Sequence, residues 1–213
     1  MHDEAVLLVH GLWMNGSVMA WLARRIAAAG YATRSPGYHS VGEALDSAAR
    51  RIAVAAAALP QSTLHVVGHS LGGLVLLRAD QLGLLSRPGR RVLIASPVAA
   101  SAAARALAAR RWSQPLLGRC LADWLALPPC GAPRDRDYGL IAGSRPLGMG
   151  SLITQLERPH DGAVALSETR LAGARDHIVL PSTHSGLLLS ATAAAETLHF
   201  LRNGCFEAGT RRA

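Results

Sequence analysis

The stretch Leu64-His65-Val66-Val67-Gly68-His69-Ser70-Leu71-Gly72-Gly73 leaves this chain few ways to fold. Leu64 to Val67 favour extended backbone, whereas Leu71 onward, with Leu74, Val75, Leu77 and Arg78, has helical spacing. A strand must therefore turn directly into a helix across Gly68-x-Ser70-x-Gly72. Glycine at both positions lets the two backbones approach without Cβ clashes. Such a turn strains Ser70 and leaves it exposed at the tip.

The same alternation runs along most of the chain. Residues 5–9 read as an apolar strand ending at His10-Gly11, and 17–29 as a helix with Ser17 as N-cap and Gly30 as its stop. Residues 31–34 read as a short strand and 41–59 as an alanine-rich helix ended by Pro60. The helix after Ser70 runs to about Leu85, and Arg87-Pro88-Gly89 turns the chain into a strand over 91–95. Two more strands are expected at 138–142 and 174–180, before a closing helix within 187–201. This pattern predicts an α/β fold: a mostly parallel, about six-stranded sheet with helices on both faces and right-handed crossovers. Ligands of such sheets bind at the strands' carboxyl ends, where Gly11 and Ser70 fall.

The alternation lapses over residues 99–133, expected to be a short helical insertion. Residues 102–111 read as a helix, and a second after Pro115 puts Leu117, Cys120, Leu121, Trp124 and Leu125 on one apolar face. The insertion either packs on the sheet or forms a partial cap whose Trp112 and Trp124 wall a pocket. At 213 residues, half of them hydrophobic, one domain over 1–213 is expected.

All 22 Lys and Arg positions are arginine, which excludes a P-loop lysine, a Schiff-base lysine or a lysine base. The net charge of +8 comes as scattered pairs such as Arg24-Arg25 and Arg90-Arg91, with only two Phe and three Tyr to stack on bases, so no nucleic acid is expected. The three cysteines lack metal-ligand spacing, and neither metal nor organic cofactor is expected. No run reaches the roughly 18 apolar residues of a membrane span, and Met1-His2-Asp3-Glu4 is acidic where a secretory signal is basic. A cytoplasmic location is therefore expected.

A serine hydroxyl becomes a nucleophile only when a positioned base takes its proton and an acid orients that base. Of the nine histidines, His10 and His69 are anchored beside tight glycine turns, while His65 and His199 occupy packing positions. His177 opens the last strand, and His184 lies in the loop after it, at the carboxyl end of the sheet. His184 is thus the candidate base, the alternative being a loop histidine that caps the closing helix. Asp161, in an Asp-Gly turn after the fifth strand, is the candidate acid, the alternative being an ordinary turn residue. Asp135, Asp137 and Asp176 precede their strands and belong at the other end.

The order Ser70, Asp161, His184, the glycine-flanked serine and the early His10-Gly11 together resemble the α/β-hydrolase fold family, over nearly the whole chain. The similarity is greatest to its small lipase- and esterase-like members, on Val9-His10-Gly11-Leu12, Gly68-His69-Ser70-Leu71-Gly72-Gly73, Asp161-Gly162-Ala163-Val164 and His184-Ser185-Gly186. Two N-terminal strands common in the family are not among the six counted, and the loop over 143–160 is long. The resemblance implies Ser70 as nucleophile, His184 as base, Asp161 as its orienter, and an oxyanion hole from the Leu12 and Leu71 N–H groups. It also implies a small ester or lipid-like substrate of short to medium acyl chain, against Trp13, Trp112, Leu117, Leu121 and Trp124. A thioesterase, amidase or perhydrolase would use the same three residues, and an idle family member would serve as a binding protein.

Overall fold

The computed structural model describes residues 3–109, 117–148 and 153–207. Its six strands are β1 (Glu4–Val9), β2 (Ala32–Arg34), β3 (Thr63–His69), β4 (Arg91–Ile94), β5 (Tyr138–Gly143) and β6 (Asp176–Leu180). They form one sheet in the order β2-β1-β3-β4-β5-β6, every pair parallel. Six α-helices are described: α1 (Ala20–Ala28), α2 (Leu45–Ala57), α3 (Leu71–Gln81), α4 (Ala102–Ala108), α5 (Arg119–Ala126) and α6 (Ala191–Asn203). None of them is long and apolar enough to cross a membrane.

Because strand side chains alternate, each strand feeds two cores. Ala5, Leu7 and Val9 of β1 join Leu64, Val66 and the buried faces of α2 and α3 on one side. Val6 and Leu8 join Val67, Val92 and the residues of α1 and α6 on the other. β1 lies between β2 and β3, so the chain leaves it in one direction and returns to build the sheet in the other. The carboxyl ends of β1 and β3 flank that switch point, where a crevice opens.

Boundaries differ from the sequence expectation where distant groups intervene. Asn15, not Ser17, caps the first helical turn: its Oδ1 accepts the Ser17 N–H at 3.0 Å, and a 3-10 turn (Gly16–Met19) precedes α1. α2 starts at Leu45 rather than 41, because Asp123 of α5 accepts the Leu45 N–H at 2.9 Å and so sets the helix start. α3 ends at Gln81 rather than near Leu85, since Gly83 turns the chain at φ +68. The insertion holds α4 and α5, while Arg110, Arg111, Trp112 and Leu116 lie outside the described residues.

At the amino end of the sheet a buried polar cluster ties α3 to β4 and β5. Arg91 and Asp80, both nearly inaccessible, form a two-point ion pair at 2.9 Å and 2.9 Å, and the Tyr138 hydroxyl donates to Asp80 at 2.5 Å. The remaining Arg91 donors meet the carbonyls of Leu64, Leu85 and Gly89. Desolvating such a pair is costly unless every donor is satisfied, and this arrangement satisfies the guanidinium on all sides.

At the carboxyl end, the first turn of α3 lies against the end of β1. A Cβ on Gly72 would stand 2.2 Å from the Val9 carbonyl oxygen and 2.6 Å from that of His10. A Cβ on Gly68 would stand 2.6 Å from the Gly73 Cα. All of these neighbours are backbone and have little room to yield. Gly72→Ala is therefore expected to cost about 3 kcal/mol or more, lowering Tm by about 6–12 °C. Gly37→Ala, where nothing lies within 4 Å, is the matched control and should move Tm little. Thermal unfolding of the two variants checks this, and a Gly72→Ala protein as stable as Gly37→Ala would refute it.

Candidate active site

Ser70 caps α3 at φ 53 and ψ −122, a combination that costs an L-residue of order 1–3 kcal/mol and persists only where the surroundings enforce it. The Ser70 N–H donates to the Ile94 carbonyl at 2.8 Å, which continues the β3–β4 ladder past β3. The α3 side then holds the serine out at the helix N-terminus. Ser70 and His184 line one cavity of about 400 Å³.

His184 sits in the loop after β6. Its Nδ1 lies 2.8 Å from Asp161 Oδ2, and a carboxylate oxygen accepts, so Nδ1 carries a proton and Nε2 is the nitrogen with the lone pair in the neutral imidazole. Asp161 is 1% exposed, and its Oδ1 accepts the N–H groups of Ala163 at 2.9 Å and Val164 at 2.8 Å. With Oδ1 so occupied, Oδ2 is left for the imidazole. The His184 N–H also donates to the Asp161 carbonyl at 2.9 Å, so backbone and side chain are tied to the same residue.

The other candidates sit elsewhere. Asp176 opens β6, where its carboxylate accepts the His177 and Phe206 N–H groups. Asp137 pairs with Arg175 and Arg90 at that same end. His65 bonds Glu4 and the Arg90 N–H, His177 bonds Thr169, and His199 donates to the Cys205 carbonyl. Burial lowers the pKa of His10, which stacks on Tyr38 with its Nδ1 on the Gly11 carbonyl.

Leu12, Leu71, Trp13 and Leu121 all line the cavity. Leu71 is the first residue of α3, so its N–H has no acceptor within the helix. Leu117 and Trp124 do not line it, contrary to expectation. The apolar face of α5 turns Cys120 and Trp124 into the core shared with α2 and α3, and only Leu121 beside that face reaches the cavity. The apolar wall comes instead from Leu107, Leu147, Ile153 and Val164. Trp112 lies outside the described residues.

Two supporting residues have partners that the sequence does not reveal, although His69 reads there as anchored beside a glycine turn. Buried Glu168 accepts the Ala102 N–H at the start of α4 and the Ala165 N–H, joining the cavity wall of α4 to the loop of Asp161. His69, fully buried before Ser70, donates from Nε2 to the His184 carbonyl at 3.1 Å. It thereby ties the end of β3 to the His184 loop, and its Nδ1 has no hydrogen-bond partner among the described residues. Short sequence separation would have revealed neither, because the partners lie far along the chain.

Residues 6–202 match the alpha/beta hydrolase family, and the chain belongs to it. No curated protein matches the chain by sequence. Among solved structures it is similar to the mature form of the Bacillus licheniformis lipase BlEst2, at 15% identity and TM-score 0.71, over 94% of this chain and 91% of that one. It is also similar to a metagenomic carboxyl esterase, at 17% identity and TM-score 0.66, over 86% of this chain and 65% of that one. A pyrethroid hydrolase from Sphingobium faniae aligns at 14% identity and TM-score 0.61, over 94% and 98%. At these identities the likeness concerns the fold.

Burial, reinforced by the neighbouring His184, pushes the His69 pKa down to about 3. The folded protein therefore keeps His69 neutral down to about pH 3, while the unfolded chain takes a proton below about pH 6.5. The unfolded state binds more protons in that window, so stability should fall as pH falls through it, by up to about 1.4 kcal/mol per pH unit from this residue. Urea unfolding of wild type and His69→Phe across the window measures the slope. The variant should lose stability less steeply with acid, and parallel curves would contradict the assignment.

Proposed function

We propose that the protein is a serine hydrolase that cleaves carboxylic esters through an acyl-enzyme. The observation that carries this reading is the strained Ser70 facing the same cavity as His184, whose Nδ1 is bonded to buried Asp161. His184 Nε2 takes the Ser70 proton as Oγ attacks the ester carbonyl, and Asp161 stabilises the imidazolium and holds its tautomer. The oxyanion is held by the N–H groups of Leu12 and Leu71, the latter at the positive end of α3. Collapse expels the alcohol, which receives the proton from His184. Water then attacks the acyl-enzyme by the same base catalysis and frees the acid.

A fluorophosphonate probe should label the wild type at Ser70 and fail to label Ser70→Ala; an unlabelled wild type would sink the reading. His184→Ala should lower kcat by about 10³-fold or more with the fold intact, and Asp161→Asn should also lower it substantially by leaving the imidazole in the wrong tautomer. Asp176→Asn, at the other end of the sheet, should turn over normally.

The apolar cavity suits a short to medium acyl chain. Each methylene buried against Leu107, Leu121 or Val164 contributes about 0.8 kcal/mol at most, so kcat/KM should rise by up to about fourfold per carbon until the cavity is full. A series of p-nitrophenyl esters from acetate to palmitate measures this, and Leu121→Ala should flatten the rise. A maximum at acetate, unmoved in Leu121→Ala, would show that the acyl chain lies elsewhere.

A further inference from the structure

A second hollow, about 940 Å³ and more open, lies beside the active-site cavity along residues 37–43 and the first turns of α2. The two share Trp13 and Met14 as a common wall. Trp13 holds a left-handed backbone at φ 58, its N–H on Ser40 Oγ at 3.1 Å and its residue half exposed. Its position between the two hollows is therefore set by the backbone.

Both hollows have mainly apolar walls, but the second also carries an ion pair, Glu43 with Arg51, which the first lacks among the described residues. Glu43, its side chain 8% exposed, accepts from Ser47 Oγ at 2.8 Å, from the His39 N–H at 3.2 Å and from Arg51 Nε at 3.1 Å. Arg51 is thus gripped by Nε alone, with its side chain 52% exposed. Its two terminal NH₂ groups have no hydrogen-bond partner among the described residues. The result is a guanidinium fixed at its stem and open at its fork, which matches acceptor oxygens in geometry and charge.

We propose that this hollow receives the alcohol part of the ester and that Arg51 selects alcohols bearing acceptor oxygens, whether hydroxyl or phosphate. The proposal rests on Ser70 acting as the nucleophile of an acyl-enzyme. In that reaction the Ser70 Oγ–carbonyl bond forms, the carbonyl–alkoxy bond breaks, and the alcohol takes its proton from His184 and departs while the acyl group stays bound. The product that must leave first belongs in the more open hollow, beside the Arg51 guanidinium. The chain that is retained belongs in the more enclosed one.

The test compares kcat/KM for hexanoylglycerol, hexanoylglycerol phosphate and hexyl hexanoate, which share one acyl chain. The wild type should prefer at least one oxygen-bearing ester over the hexyl ester by about tenfold, one charge-assisted hydrogen bond. The larger ratio identifies hydroxyl or phosphate as the recognised group. In Arg51→Ala that ratio should fall to near one, whereas Arg50→Ala, an exposed neighbour on α2, should keep it. A ratio near one in the wild type, a ratio that survives Arg51→Ala, or an equal fall in Arg50→Ala overturns the proposal. Fluorophosphonate labelling, which involves no alcohol, separates the two failures: an unlabelled wild type removes the hydrolase reading itself, and a labelled enzyme without alcohol selectivity removes only the role of the hollow.

Discussion

The structure depends on one close approach, that of the first turn of α3 to the last carbonyls of β1. With glycine at position 72, helix and strand come within a distance that any side chain would forbid, and the turn that delivers the helix leaves Ser70 at φ 53. The strain is held by β3 pairing on both flanks, by the Ser70 N–H on the Ile94 carbonyl and by the packed helix behind. Gly11 adds to the crowding, since a Cβ there would meet Ser70 Cβ at 3.2 Å and His69 Nδ1 at 3.3 Å. Small residues at both strand ends are the condition for the cavity in front of Ser70.

Rigid supports at both ends of the sheet keep that geometry. The Arg91–Asp80–Tyr138 cluster locks the amino end, so α3 cannot slide along the sheet without breaking a buried ion pair, a loss that typically costs 3–5 kcal/mol. At the carboxyl end, Asp161 holds the N–H groups of its own turn and the His184 ring, while Glu168 and His69 reach across to the Ala102 N–H and the His184 carbonyl. Loops that would otherwise be mobile thereby become walls of defined position. The catalytic proposal needs this, because a base misplaced by an ångström loses much of its effect.

Much of the architecture was legible because it is local. Short continuous apolar runs separated by helical segments specify parallel strands and their crossovers, and the Gly68-x-Ser70-x-Gly72 turn specifies a strand entering a helix. Asp161 and His184 were legible through topology, as loop residues after β5 and β6, and the structure brings them to 2.8 Å across 23 residues. Helix ends were less legible, because α2 begins where Asp123 of α5 reaches Leu45 from 78 residues away. Trp124 misled for a related reason: an apolar helical face announces that it will be buried without saying against what, and here it faces α2 and α3 instead of the cavity.

The sequence by itself determined the parallel sheet, the strained serine between two glycines and the end of the sheet at which chemistry is possible. Each follows from backbone sterics and side-chain periodicity within a few residues. Only the tertiary structure decided that His69 binds the His184 carbonyl, that Glu168 joins α4 to the Asp161 loop, that Arg91 is buried on Asp80, and that Trp13 stands between two hollows. Those contacts arise from packing that brings together groups far apart in the chain. Their energies depend on burial and partner geometry, and no local pattern encodes either.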